Sequence, residues 1–224
     1  MALPAHDTLA FDVYGTLIDT SGVVEQLTEV VGDRAGDFSE RWRTTQLGYS
    51  WRRALMKDYV DFGVCTAQAL DHTAATMAVD LTEDQRAHLL AAYGALPAFP
   101  DTAPALRQLS EAGSRLVAFS NGPATAVIGL LDAAGIGDLV SDVVSADDIS
   151  TFKPDPAVYH HLLERCATEA QRAVVVSSNA FDVIGAQGAG LGSVWVRRSE
   201  AVAWDPWDVE PDLTVGALTD LVDG

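Results

Sequence analysis

The spacing of apolar and polar residues changes character twice along the chain. The stretch Leu9-Ala10-Phe11-Asp12-Val13-Tyr14-Gly15-Thr16-Leu17 opens as an apolar run suited to a buried strand and breaks at Gly15. From there to about residue 98 the period is helical. Val23 to Val31 is a short helical pattern, and Trp42, Leu47, Trp51, Leu55 and Tyr59 read as an apolar stripe. Further patterns run from Ala67 to Met77 and from Thr82 to Tyr93, where Thr82 and Gln85 suit a capping box. No strand reads convincingly in this block.

Pro97, Pro100 and Pro104 mark its end. Beyond them strands and helices alternate. Strands are predicted over Arg115–Phe119, Val140–Ser145, Ala173–Val176 and Ser193–Val196. The helices are predicted over Thr102–Ala112, Thr125–Ala134, Pro156–Cys166 and Phe181–Ala189, with a last short one near Ala217–Val222. That alternation means βαβ units and a parallel sheet with helices on both faces. The expected fold is therefore an α/β core, residues 1–20 and 99–224, with a helical cap subdomain, residues 21–98, inserted after the first strand.

At 224 residues the chain is long enough for a core domain with such an insertion. A formal net charge of −18 makes a surface that repels nucleic acid and anionic membranes. No apolar stretch is long enough to span a bilayer. Met1 to Thr8 has neither the basic flank nor the apolar core of a signal peptide, so a cytoplasmic location is expected. Cys65 and Cys166 have no metal-like spacing and read as free thiols. Only Lys57 and Lys153 are lysines, which makes a lysine just after a strand-like run conspicuous.

The polar residues that could do chemistry follow the strands. Asp12 stands at the carboxyl end of the first strand, the edge where open α/β sheets gather ligands. Ser120-Asn121-Gly122 follows the second, a small hydroxyl and an amide at a helix start that suit an anion. Phe152-Lys153-Pro154-Asp155-Pro156 follows the third, with Tyr159 one turn on. Ser177-Ser178-Asn179-Ala180-Phe181-Asp182 follows the fourth, with more polar groups than one helix cap needs. Each cluster alone reads as ordinary capping. Four of them on one rim point to a site.

With that order of Asp, Ser, Lys and acidic cluster, the chain resembles the haloacid dehalogenase (HAD) superfamily, whose fold is a Rossmann-like parallel sheet flanked by helices. In detail it resembles the L-2-haloacid dehalogenase (type II) branch. The strings that carry the likeness are FDVYGTL from Phe11, SNG from Ser120, FKPDPAVY from Phe152, SSNAFDVIGA from Ser177 and, in the helical block, WRTTQLGYSWRRALM from Trp42. A phosphatase of this superfamily carries a second Asp two residues after the nucleophile and further acids in the last motif, which hold Mg²⁺. Here Tyr14, Ser177 and Asn179 stand in those places and leave Asp182. Magnesium offsets the repulsion between a carboxylate and a phosphate dianion. A carboxylate attacking a halogen-bearing carbon meets no such barrier. The expectation is therefore hydrolytic dehalogenation of (S)-2-haloacids to (R)-2-hydroxy acids without metal or cofactor, with a Mg²⁺-dependent small-molecule phosphatase as the alternative.

The resemblance implies roles. Asp12 is the nucleophile that forms an aspartyl ester, and no base is needed because carboxylates titrate near ~4 in water. Lys153, supported by Tyr159, keeps it ionised, and Asp182 directs the hydrolytic water. Thr16, Ser177 and Asn179 hold Asp12 and the developing oxyanion. Ser120 and the backbone at Val13 and Tyr14 bind the substrate carboxylate. Arg43, with Asn121 beside it, takes the halide. Spacing alone leaves Arg41, Arg52 and Arg53 open for that last role, and the likeness through Gln46, Leu47 and Tyr49 favours Arg43. Leu47, Phe62 and Phe181 line the substrate's alkyl group. Phe181 stands where relatives often have Trp, and Thr44 where many have Gln, which bears on substrate size. A homodimer is also implied.

Overall fold

The computed structural model describes residues 3–222. Residues 1, 2, 223 and 224, the outer ends of the expected core segments and part of the N-terminal stretch Met1 to Thr8, lie outside the described residues. Six parallel strands form one sheet: β1 (Thr8–Asp12), β2 (Arg115–Ser120), β3 (Asp142–Ser145), β4 (Ala173–Ser177), β5 (Gly192–Val196) and β6 (Leu213–Val215). Their spatial order is β3-β2-β1-β4-β5-β6. Between them run α1 (Gly22–Val31), α2 (Ala35–Met56), α3 (Phe62–Thr76), α4 (Glu83–Ala92), α5 (Thr102–Glu111), α6 (Ala124–Ala133), α7 (Pro156–Cys166) and α8 (Ala180–Gly188). Among the described residues no helix is long and apolar enough to cross a membrane.

The strands are continuous apolar runs because helices cover both faces of the sheet. Leu9 and Phe11 join a core with Val174, Val176 and Val194, into which α5 and α6 send Leu106, Leu109, Val127 and Leu130. Ala10 points the other way, into a second core with Val117, Phe119 and Val175 beneath Val158, Tyr159 and Leu162 of α7. This is the two-residue period of a strand.

The topology fixes where the site lies. Strand β1 pairs with β2 on one side and β4 on the other, so the strand order reverses there. Crevices at such reversal points, beyond the carboxyl ends of the strands, are where α/β sheets bind ligands. Asp12 closes β1, and the register Asp12↔Phe119 brings Ser120 just beyond it. Gly15 then takes φ +87°, a left-handed conformation that glycine adopts without strain, and lets the chain double back. Three backbone N–H groups, of Thr16, Leu17 and Ile18, donate to the carbonyl of Val13 in that turn.

The segment between β1 and β2 is helical, as its period predicts, with differences in detail. Helix α3 starts at Phe62 rather than Ala67, because Asp61 caps it by accepting from Val64 N at 3.0 Å. The capping box at the start of α4 is present, with Thr82 and Gln85 bonded reciprocally. The stripe on α2 is corrected. Its buried seam is Ala35, Phe38, Trp42, Gln46 and Ser50, and it stays polar at one end because Gln46 Nε2 donates to Thr66 Oγ1 at 2.5 Å. Leu55 is 85% exposed, and Tyr59 lies beyond the helix end at Met56. Strand β6 is an element the periodicity did not predict, and the last predicted helix is a single 3₁₀ turn, Leu218–Leu221.

Candidate active site

Asp12 sits at the centre of a nearly closed hydrogen-bond network and is 8% exposed. Its Oδ2 accepts from Thr16 Oγ1 at 2.9 Å and from Asn179 Nδ2 at 2.8 Å. Its Oδ1 faces Lys153 Nζ at 3.2 Å. Thr16 reaches Asp12 because the turn at Gly15 brings it back over the end of β1. Asn179 reaches it from the start of α8, where Ser177 Oγ, fully buried, accepts from the Asn179 backbone N at 3.1 Å. Ser177 thus acts on the site through Asn179.

Lys153 lies on the loop before α7 and is 1% exposed. Its ammonium donates to Asp12, to Asp182 Oδ2 at 2.8 Å and to the Phe119 carbonyl at 2.8 Å, and it sits 3.9 Å from the centroid of the Phe119 ring. Removal from water costs a buried ammonium several kcal/mol, so two carboxylates, one carbonyl and a ring face are the compensation it needs. Asp182, one turn into α8, is fully buried. Burial raises its pKa, and the Asp12 charge adds to that rise while Lys153 opposes it. Tyr159 of α7 donates to Asp182 Oδ1 at 2.9 Å, and burial with the Asp182 charge holds its phenol well above the ordinary value. Tyr159 therefore serves as a neutral donor.

Arg43 alone among the four candidate arginines enters this network. Its Nη2 donates to the carbonyl of Tyr14 at 3.3 Å and to Asn179 Oδ1 at 3.2 Å. Arg41 instead lines an outer groove between α2 and α3 with Asp37 and Thr76. Arg52 lies 5.5 Å from the Tyr49 ring, and Arg53 pairs with Asp58.

The remaining predicted residues frame the site. Ser120 Oγ accepts from Gly122 N at 3.1 Å, and Asn121 Oδ1 accepts from Lys153 N at 2.8 Å, which ties the second rim cluster to the third. Val13 offers only backbone, its side chain being fully buried in the core. Tyr14 has its phenol pushed up to about 12 by burial and by neighbouring Tyr93. Its ring, with Gln46, Phe62, Tyr93 and Gly122, lines a cavity of about 300 Å³. Leu47 packs on the cluster of Phe62, Cys65 and Phe152, while Phe181 meets Trp51 edge-on at 5.3 Å.

Three contributors escaped the sequence reading as site residues. Ser178 N donates to Thr16 Oγ1 at 2.8 Å, and that hydroxyl faces Asp12 Oδ2 at 2.9 Å and Ser178 Oγ at 3.1 Å. Trp51 Nε1 donates to the Lys153 carbonyl at 3.1 Å. Arg198 Nη2 donates to the Thr16 carbonyl at 2.6 Å. Ser178 stands inside the SSNAFD cluster and Trp51 inside the helical string from Trp42, both usable signals, whereas Arg198 carries none.

The donor set bears on metal binding. Hard divalent cations take anionic or carbonyl oxygens. Beside Asp12 Oδ2 stand an N–H and an O–H, and the one carbonyl oxygen of Asn179 is taken by Arg43. Among the described residues no group of three or more His, Cys, Asp or Glu could hold a metal ion.

The chain as a whole is similar to known proteins. The haloacid dehalogenase-like hydrolase family profile matches residues 6–190. The (S)-2-haloacid dehalogenase of Pseudomonas sp. (strain YL) is 34% identical over 215 residues, covering 96% of this chain and 92% of that protein. The (S)-2-haloacid dehalogenase 1 of Pseudomonas sp. (strain CBS-3) is 36% identical, covering 84% and 83%. Among solved structures, the L-2-haloacid dehalogenase of Xanthobacter autotrophicus with chloropropionic acid covalently bound superposes with a TM-score of 0.90. It is 31% identical and covers 97% of both chains. With more than half its length matched by the profile and relatives above 30% identity over most of it, this chain belongs to the haloacid dehalogenase-like hydrolases.

Proposed function

We propose that the protein hydrolyses the carbon–halogen bond of (S)-2-haloacids, releasing halide and the (R)-2-hydroxy acid, and that Asp12 is the nucleophile. The observation that carries this reading is the double engagement of Asn179. Its N–H₂ group holds Asp12 Oδ2 while its carbonyl holds Arg43, so that one amide ties the nucleophile and a cation to the same group.

A carboxylate oxygen of Asp12 attacks C2 from the side opposite the halogen. The C–O bond forms as the carbon–halogen bond breaks, and the halide leaves with the bonding pair. Arg43 stabilises that developing negative charge. Asp12 is then an ester and C2 is inverted. Water next attacks the ester carbonyl carbon of Asp12 while Asp182 takes its proton. The raised pKa of Asp182 makes it a stronger base than an ordinary carboxylate. Lys153 stabilises the oxyanion of the tetrahedral intermediate. Collapse breaks the bond to the substrate oxygen, which takes back the proton held by Asp182 and leaves as hydroxy acid, and the Asp12 carboxyl gives the water's second proton to solvent, which restores both carboxylates.

Residues 21–98 act in this reading as a cap that supplies Arg43, Leu47 and Phe62 over the site, with Phe181 opposite. Ser120 and the backbone at Tyr14 hold the substrate carboxylate. The reaction needs neither metal nor cofactor, in keeping with the donors around Asp12. The cytoplasmic location and the homodimer belong to the same reading, and sedimentation velocity tests the latter. Halide release from each enantiomer of 2-chloropropionate, with and without EDTA, tests the activity. Release from the S enantiomer alone, unchanged by chelator, is expected. Dependence on added Mg²⁺, or equal turnover of both enantiomers, overturns the reading.

A further inference from the structure

We infer that Arg198 is a positioning residue for the nucleophile, acting through Thr16. The inference rests on the reading of Asp12 as nucleophile and Thr16 as the hydroxyl that aims it. Arg198 follows β5, and its guanidinium is held on three sides. Nη2 donates to the Thr16 carbonyl at 2.6 Å, Nη1 donates to Asp101 Oδ2 at 2.6 Å, and the group lies 4.1 Å from the centroid of the Phe99 ring. Asp101 is anchored in turn, accepting from Leu218 N at 2.6 Å. Both side chains of the ion pair are largely buried, at 18% and 16% exposure.

The mechanical consequence follows from the turn after β1. Its backbone bonds converge on the carbonyl of Val13, and the Thr16 carbonyl points outward to the guanidinium. The Thr16 hydroxyl on the other side of that residue donates to Asp12 Oδ2. A turn carrying the residue that aims a nucleophile needs fixing at both ends. Ser178 N holds the hydroxyl end and Arg198 holds the carbonyl end. The planar fork of arginine presents one nitrogen to Thr16 and another to Asp101, a spacing that the compact ammonium of lysine does not reproduce.

The test is a double-mutant cycle on ester formation, measured in a single turnover with enzyme in excess. Arg198→Ala should slow ester formation about 10- to 100-fold, the scale of one lost charge-assisted hydrogen bond, with KM nearly unchanged. In a Thr16→Val background the same change should cost little, because the hydroxyl through which it acts is already gone. Arg198→Lys, which keeps the charge and more of the packing, should fall between and serves where the alanine variant unfolds. Equal factors in both backgrounds, or a raised KM with kcat intact, overturn the inference.

Hydrogen exchange reads the same link without turnover. Protection over residues 12–18 should fall in Arg198→Lys while the melting temperature holds, and unchanged protection refutes the link. A wild-type enzyme that releases no halide defeats the dehalogenase reading but leaves the exchange experiment able to decide this one.

Discussion

Arg43 and Asn179 meet where the helical segment between β1 and β2 faces the sheet. Arg43 Nη2 donates to Asn179 Oδ1 at 3.2 Å, and Nδ2 of the same amide donates to Asp12 at 2.8 Å. The arginine is 136 residues from the asparagine in sequence, so only the fold brings the cation and the partner of Asp12 together.

Arg43→Ala should therefore lower kcat by the equivalent of ~2–4 kcal/mol while leaving the fold intact. Arg41→Ala and Arg52→Ala should change kcat little, since those side chains face an outer groove and the Tyr49 ring. Steady-state kinetics on the three variants decides the matter. A crippled Arg41 variant with an active Arg43 variant would reverse the assignment.

The pH dependence follows from Asp182. Its folded pKa is raised, chiefly by burial, and in the proposed mechanism its carboxylate form accepts a proton from water. Ester hydrolysis should therefore gain rate as pH rises through a value above the ordinary carboxylate range of ~4. Tyr159 donates to the ionised form of Asp182 and so holds that pKa down. Tyr159→Phe should move the acid limb of kcat to still higher pH, besides reducing its height. A limb that stays put, or moves down, would remove Asp182 from the water step.

Gly185 offers a test on packing. A Cβ built on it would lie 2.8 Å from Pro154 Cβ and closer still to the Tyr159 hydroxyl and ring carbon. Neither neighbour is a flexible chain end, because Tyr159 is fully buried and Pro154 directly follows Lys153. Gly185→Ala should destabilise the protein by ~1–3 kcal/mol, the usual scale of overpacking. It should also lower kcat by forcing Tyr159 from Asp182. Thermal melts and kinetics on the one variant check both, and a stable, fully active Gly185→Ala would show that α7 and α8 yield without disturbing the site.

What was legible in the sequence follows physical lines. Strands β1 to β5 could be read to within a residue or two because strands buried on both faces are unbroken apolar runs between turn signals. Strand β6 was missed because it is three residues long at the sheet edge, with Thr214 exposed between Leu213 and Val215. The stripe on α2 was misread because its buried seam turns polar at Gln46 and Ser50, where hydrogen bonds replace apolar contact. The rim clusters were visible because each follows a strand. Ser177's indirect role was not visible, since whether a hydroxyl reaches a carboxylate or a neighbouring N–H is a matter of ångströms. Trp51 and Arg198 act from 102 and 182 residues away on backbone carbonyls, which every residue has and no spacing singles out.

The covalent step is the hardest part of the mechanism to see, and stereochemistry cannot reveal it. Direct displacement by water and the ester route both invert C2. The position of isotope separates them. In the ester route water attacks the carbonyl carbon of Asp12, so the new oxygen of the product comes from the carboxylate and the solvent oxygen stays on the enzyme. A single turnover in H₂¹⁸O with enzyme in excess should give unlabelled hydroxy acid, and mass spectrometry should find the label on the peptide that contains Asp12. In the proposed mechanism the two donors on Oδ2 and Lys153 on Oδ1 hold the carboxylate in place for that attack. Label in the product of the first turnover would make Asp12 a general base and give the attack to water.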